Sequence, residues 1–327
     1  MAWACSTGFR GSRVCYDGPR ERSPVIPYDF IQSDSELEKL VSHLASTGCP
    51  RLAVDVEGEN NLHSYGIRVA LIQLYDGTHG WIVDALAVSR SPLKALLEDS
   101  SWVKVWFDAA NDLLSFQHDL DIRPGPLLDV AIAARLLQKP GGLHALTGQG
   151  SSASAKDRFQ KSNWLRRPLS RALLDYAISD VLHLLDLADE LMAEIGRRGL
   201  AAEFQARNLE QQTAERSWDP LANFTRIPGF NALRGPQRRF AKVLWYAREF
   251  YGRQHDMPPG NVASRQELRA LVDRGARDAS GISKFLNENR KRNLVDPADL
   301  ALHLGAAEKA VDAEDGQSRT EHSHRSR

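Results

Sequence analysis

Apolar positions in the first half of the chain fall into short runs with a period of two, each closed by turn residues. RLAVDVE, RVALIQLYDG and GWIVDA read as three successive strands of a meander, and WVKVWF returns as another strand after a helix near 92–99. Elsewhere the period lengthens to that of a helix. YDFIQ leads into Ser33, whose spacing to Glu36 predicts a capping box for ELEKLVSHLAS. NDLLSFQHDL and LLDVAIAARLLQ read as helices, and RALLDYAISDVLHLLDLADELMAEIG as one long amphipathic helix. This alternation predicts an α/β domain over 26–205, a sheet flanked by helices. From LANFTRIPGF onward only helical segments follow, divided by Pro and Gly signals such as MPPGN. They predict a linker at 206–217 and a small all-α bundle over 218–305. The ends, 1–25 and 306–327, are polar without sustained period and read as flexible tails.

One strand ends in an unusual way. LAVDVEGEN, residues 52–60, places Asp55 and Glu57 two positions apart, on one face of a strand and about 7 Å from each other along it. They repel unless something neutralises them. A strand frayed into an acidic loop, with Glu59 following, explains the local pattern equally well. Asp112 lies just after WVKVWF, where a helix-start acid favoured by the macrodipole is the plain alternative. Asp180 follows Tyr176 by four residues, so phenol and carboxylate share a helix face; a core aromatic and a solvated acid would look the same. Taken together, four acids in one pocket cost free energy unless a divalent cation compensates them, and hard oxygen donors suit Mg²⁺ or Mn²⁺. Two ions roughly 3.5–4 Å apart activate a water on one side of a phosphodiester and stabilise the leaving oxygen on the other. Tyr176 is then placed to orient that water.

Composition narrows the setting. A chain of 327 residues suggests about two domains, and 42% hydrophobic with 26% charged residues is ordinary for a globular protein. No apolar run approaches the roughly 18–20 residues of a membrane span, and the N-terminus lacks the apolar segment of a signal peptide, so the expectation is a cytoplasmic protein without membrane partners. Cys5, Cys15 and Cys49 form neither a metal-spaced pair nor an even disulfide set. His63 and His183 suit no metal triad. The net charge is zero but unevenly spread: 27–205 holds 24 acids against 17 Lys or Arg, and 221–295 holds 6 against 15. Such asymmetry points the basic part toward nucleic acid or another acidic surface.

LAVDVEGENNLHSYGIRVALIQL, VWFDAANDLLSFQHDLDIRPGPLLDVAIAARLL and KDRFQKSNWLRRPLSRALLDYAISDVLHLL together resemble the three exonuclease motifs of the ribonuclease D family, in the tyrosine branch of the DEDD superfamily. The resemblance covers 27–205. It implies a ribonuclease H-like fold with a mixed five-stranded sheet, first-motif ligands Asp55 and Glu57, a second-motif ligand Asp112, and third-motif residues Tyr176 and Asp180. It further implies two divalent ions, Mg²⁺ or Mn²⁺, no nucleotide cofactor, and release of nucleoside 5′-monophosphates from an RNA with a free 3′ end. Asn163 departs from the Asp expected before Trp164, which puts local loop contacts in doubt. Arg167 is a candidate for a phosphate contact, as readily a surface arginine capping its loop, and Gln73 is a candidate substrate contact or a structural mid-strand amide. The stretch RRFAKVLWYAREFYGRQHDMPPGNVASRQEL resembles one helicase-and-ribonuclease-D C-terminal domain, with Arg234, Arg238, Arg239, Lys242 and Arg248 as candidate phosphate contacts. The expected activity is exoribonuclease processing of tRNA-like or other structured RNA. The alternatives are a DNA 3′-5′ exonuclease, since only 2′-hydroxyl contacts separate the polymers, and a non-catalytic RNA-binding module.

Overall fold

A computed structural model describes residues 27–139, 141–148, 158–275, 278–290 and 295–325. The expected N-terminal tail, with Cys5 and Cys15, lies outside them. Two compact units are present: Met1–Glu57 with Val69–Glu215, and Gly58–Arg68 with Arg216–Arg327. Among the described residues no helix is long and apolar enough to cross a membrane.

The first unit contains a mixed sheet of β1 (Tyr28–Ile31), β2 (Arg51–Asn60, whose last three residues belong to the second unit), β3 (Ile67–Tyr75), β4 (Gly80–Asp84), β5 (Val103–Trp106) and β6 (Leu127–Asp129), in the order β1-β4-β3-β2-β5-β6. The meander appears as the adjacent strands β2, β3 and β4, with β3 and β4 antiparallel, whereas β1 with β4, β2 with β5 and β5 with β6 run parallel. There are six strands where five were expected. The extra definition is in LLDVAIAARLLQ, whose first three residues form β6 before Asp129 caps the helix α4 (Val130–Leu136) by accepting from the Ala131 amide.

The period of two sorts the strands onto two cores. Leu52, Val54, Trp81, Val83 and Trp106 face α1 (Asp34–Thr47) and α2 (Arg90–Glu98), which bury Leu37, Leu40, Leu44, Leu93, Leu96 and Leu97. Ala53, Ile82 and Val105 face the opposite core, shared with α4, α6 (Arg171–Ser179) and α7 (Leu184–Arg197). Alternation therefore aims Asp55 and Glu57 toward the side on which α6 lies. Ser33 caps α1 by accepting from the Glu36 amide at 3.4 Å, but Glu36 takes the Gln32 amide at 2.8 Å, so the expected reciprocal box is only half formed. Between these elements lie α3 (Ala110–Ser115), continued by a π turn over Phe116–Leu120, and α5 (Leu143–Thr147).

Two expectations fail here. The single long helix is broken between Ser179 and Leu184, giving α6 and α7. The linker at 206–217 is largely helix: α8 (Ala201–Thr213) runs through it and lays its amides on the outer edge of β6. Asn208 accepts from the Asp129 amide at 2.8 Å and donates to the Leu127 carbonyl at 2.6 Å, while Gln212 accepts from the Leu127 amide at 2.8 Å.

The second unit is built on α9 (Gly235–Gln254), with α10 (Pro259–Val262), α11 (Arg265–Arg274), α12 (Ala279–Arg290) and α13 (Pro297–Arg325). Ser264 and Glu267 form a complete capping box at the start of α11. α13 overturns the expected flexible tail at 306–325: Ala307 and Val311 are fully buried in this unit's core, and Glu314 accepts from the Tyr246 hydroxyl at 2.6 Å and from Lys242 at 2.7 Å. The segment after the first motif also belongs here, since Tyr65 bonds Glu249 through its hydroxyl at 3.2 Å and Asp256 through its amide at 3.2 Å.

Candidate active site

Three elements bring the acids together. β2 supplies Asp55 and Glu57, and Asp180 stands at the C-cap of α6, where the helix breaks before α7. One carboxylate oxygen from each of Asp55, Glu57 and Asp180 lies within 4.8 Å of the other two. Asp112, in the first turn of α3, falls outside that trio, yet its charge is the largest electrostatic influence on Asp55. Burial first, then Asp112, Asp180 and Glu57, hold the Asp55 carboxyl well above the ordinary carboxylate range. Burial also pushes Asp112 up to about 7, with Asp108 and Asp129 adding to the shift. Acids raised in this way gain from a cation.

The loop entering α3 is held by a residue that sequence reading passed over. Asp129 is fully buried and accepts from the Asp108 amide at 2.9 Å and the Ala109 amide at 3.1 Å. It thereby pins Asp108, whose φ of 61° is a left-handed conformation uncommon outside glycine, and so fixes the direction from which Asp112 enters.

Tyr176 lies at the centre of the third-motif packing, with Phe159 stacked at 5.0 Å and Trp164 at 6.3 Å between ring centroids. Its hydroxyl faces the Asp180 carboxylate, and burial first, then the charges of Asp180, Glu57 and Asp55, raise its pKa above the usual phenol range. The group thus keeps its proton at neutral pH. In that form it can donate a hydrogen bond and orient a neighbour. A second overlooked neighbour is His144 in α5, whose Nε2 is 3.3 Å from Asp180 Oδ1; a lone histidine in a short helical stretch gives no signal of its own.

Three candidate substrate contacts are engaged or buried within the protein. Arg167 grips buried Asp84 through Nε and one terminal nitrogen, both at 2.6 Å, and donates further to the Trp164, Arg166 and Ala70 carbonyls. Its fork is a strut between the third-motif loop and the sheet. Gln73 is fully buried within β3, which removes it from any substrate. Arg248 is buried, bonds Glu249 at 2.5 Å and lies 3.7 Å over the Trp245 ring. Of the others, Arg239 pairs with Asp312 and Lys242 with Glu314, each at 2.7 Å. Arg234 and Arg238 are exposed at the start of α9, Arg238 over the Phe230 ring.

A pair of acids in mid-strand, where the sequence pattern had suggested a strand end, a helix-end acid and a phenol beside it, on a mixed sheet with helices on both faces, define a nuclease-type site. Residues 28–196, more than half of the chain, match the sequence profile of a family described as 3′-5′ exonuclease, and the chain belongs to that family. It is similar to the ribonuclease D of Cronobacter turicensis, 30% identical over 223 residues that cover 66% of this chain and 60% of that one. The ribonuclease D of Escherichia coli K12 is 31% identical over 206 residues, covering 60% of this chain and 54% of that one. The chain therefore spans less than two thirds of the length of these relatives. The crystal structure of E. coli RNase D, an exoribonuclease involved in structured RNA processing, matches at a TM-score of 0.66 and 25% identity, covering 88% of this chain and 74% of that one. The catalytic core of RRP6 from Trypanosoma brucei shares the fold at a TM-score of 0.70 and 22% identity, covering 89% and 82%.

Proposed function

We propose that the protein is a metal-dependent 3′-to-5′ exoribonuclease that releases nucleoside 5′-monophosphates from structured RNA, tRNA precursors among them. The observation that carries this reading is the convergence of Asp55, Glu57 and Asp180 within 4.8 Å, with the Tyr176 phenol beside the last of them. An all-oxygen set of clustered carboxylates fits hard divalent ions such as Mg²⁺ or Mn²⁺, with Asp112 completing the negative charge around Asp55. Ions held there supply positive charge at the scissile phosphate and ease deprotonation of the attacking water. The protein's own contribution is positional: β2 and the end of α6 fix the acids, and Tyr176, protonated and clamped by Phe159 and Trp164, aims its O–H toward the hydrolytic water. The similarity to ribonuclease D supports RNA as the polymer, and the helical unit is assigned a gripping role, as its resemblance to a helicase-and-ribonuclease-D C-terminal domain suggests.

The test compares 5′-labelled RNA and DNA oligonucleotides with Mg²⁺, Mn²⁺ or a chelator, for the wild type, Asp55→Asn and Tyr176→Phe. Asp55→Asn is expected to lose Mg²⁺-supported RNA digestion by about 100-fold or more while keeping its melting temperature. Tyr176→Phe should lower single-turnover rate by at least about tenfold with RNA affinity nearly unchanged, because an orienting group acts on the transition state. Digestion by Asp55→Asn at the wild-type rate removes the metal-seat reading. Preference for DNA would move the assignment to a DNA exonuclease.

A further inference from the structure

The helical unit holds a second group of ligating side chains, of different chemistry from the acidic site. Asp299 and His303 lie one turn apart on α13 and share a face, and His255 closes the C-terminal end of α9. One ligating atom from each of the three lies within 4.8 Å of the other two. His255 Nε2 is hydrogen-bonded to Asp299 Oδ2, while His303 Nε2 stands 3.6 Å from Asp299 Oδ1, beyond hydrogen-bond reach.

The second observation is His303 itself. It is 8% exposed, and its Nε2 is buried with no hydrogen-bond partner. Leaving such an atom unsatisfied costs about 1–3 kcal/mol, and native structures rarely carry that cost without a reason. The neighbours of this orphan nitrogen are a carboxylate and a second imidazole. The rings are also held in place: Tyr251 packs at a tilt of 31° on His255 at 4.3 Å and meets His303 edge-on at 5.5 Å between centroids. The Tyr251 hydroxyl accepts from the Asp296 amide at 3.1 Å, Asp296 in turn accepts from the Asp299 amide at 2.9 Å, and Gln254 donates to Asp299 Oδ1 at 3.4 Å. Outer contacts of this kind orient the ligands of metal sites.

We propose that His255, Asp299 and His303 form a site for a first-row divalent cation of the Zn²⁺ class, which staples the end of α9 to the first turns of α13. Two imidazoles and one carboxylate are a zinc donor set with a fourth position left for water, and nitrogen donors do not suit Mg²⁺. Ligand atoms around a tetrahedral ion lie about 3.3–3.5 Å apart, so His303 is already spaced for an ion at 3.6 Å from Asp299, and the ion would replace the His255–Asp299 hydrogen bond. The His255 side chain, 35% exposed, provides the way in.

The experiment uses the full chain carrying Asp55→Asn, which weakens ion binding at the acidic site, after chelator treatment. Zn²⁺ affinity is measured by competition with a chromophoric chelator, and Co²⁺ is added to read its visible absorption. One Zn²⁺ per chain is expected, with the intense Co²⁺ band of a four-coordinate site and a rise in melting temperature on Zn²⁺ addition. His255→Ala and His303→Gln should each weaken Zn²⁺ by at least about tenfold and abolish the thermal shift. Should buried His303→Gln fail to fold, the more exposed His255→Ala decides the matter alone. A His322→Ala/His324→Ala variant controls for the terminal histidines and should bind as the parent does. Unchanged affinity in His255→Ala, or loss only in the terminal variant, overturns the proposal and leaves the trio as a hydrogen-bonded cluster.

Discussion

Asp112 shows how one residue can tie stability to the site. Burial, with Asp108 and Asp129, pushes its carboxyl up to about 7, so the folded chain binds a proton that the unfolded chain releases near the ordinary aspartate value of 3.8. The stability this proton contributes is full below the unfolded value and is lost as pH rises through the folded one. In chelator, the wild type should therefore lose stability between about pH 4 and pH 7, and Asp112→Asn should flatten that decline. At pH 8 the metal-free Asn variant is expected to melt a few degrees above the wild type, a gain on the order of 1–3 kcal/mol. A melting curve no higher than wild type at pH 8 would show that the carboxyl is not strained in the apo protein. The residues of this site were legible in unequal measure. Asp55, Glu57, Tyr176 and Asp180 announce themselves by spacings that put pairs on one face of a strand or helix. Asp129 and His144 do not, because their partners, the Asp108 loop and Asp180, lie far along the chain and no periodicity encodes them.

At the scale of elements, the hydrophobic period predicted the strands and most helices but concealed their ends. α6 and α7 both bury their apolar faces in the same core, so the amphipathic pattern runs on through Asp180 although the backbone does not. β6 was similarly absorbed into α4, since three residues are too few to show a period of two. For Arg167 the loop-capping alternative was legible, since it donates to the Trp164 and Arg166 carbonyls, but its partner Asp84, 83 positions away, was not. Their pairing has a measurable consequence. Asp84 is 2% exposed, and removing the guanidinium strands a buried carboxylate, which costs about 3–5 kcal/mol. Arg167→Ala should accordingly lower the melting temperature of the metal-free protein by roughly 6 °C or more, with RNA affinity of the remaining folded fraction little changed. Intact stability with weakened RNA binding would instead restore the phosphate-contact role.

For the whole molecule, the uneven charge was visible from composition, but its spending was not. Arg239, Lys242 and Arg248 meet Asp312, Glu314 and Glu249, and two of those acids come from the stretch first taken for a tail. What α9 presents outward at its start is Arg234 and Arg238. If the helical unit grips RNA, the Arg234→Ala/Arg238→Ala variant should bind all sequences more weakly and reduce the slope of log affinity against log salt by about 1–2, with digestion of a short oligonucleotide retained. An unchanged slope would reassign the unit to protein contacts or to stabilisation. The amides of α8 bear on how this chain could ever be divided. β6 is the last strand of its sheet, and Asn208 and Gln212 occupy the donors and acceptors along its open side. A chain ended at 205, where the composition changes, would shed both and leave the edge of β6 unpaired, so that the shorter protein should self-associate more readily than the full chain.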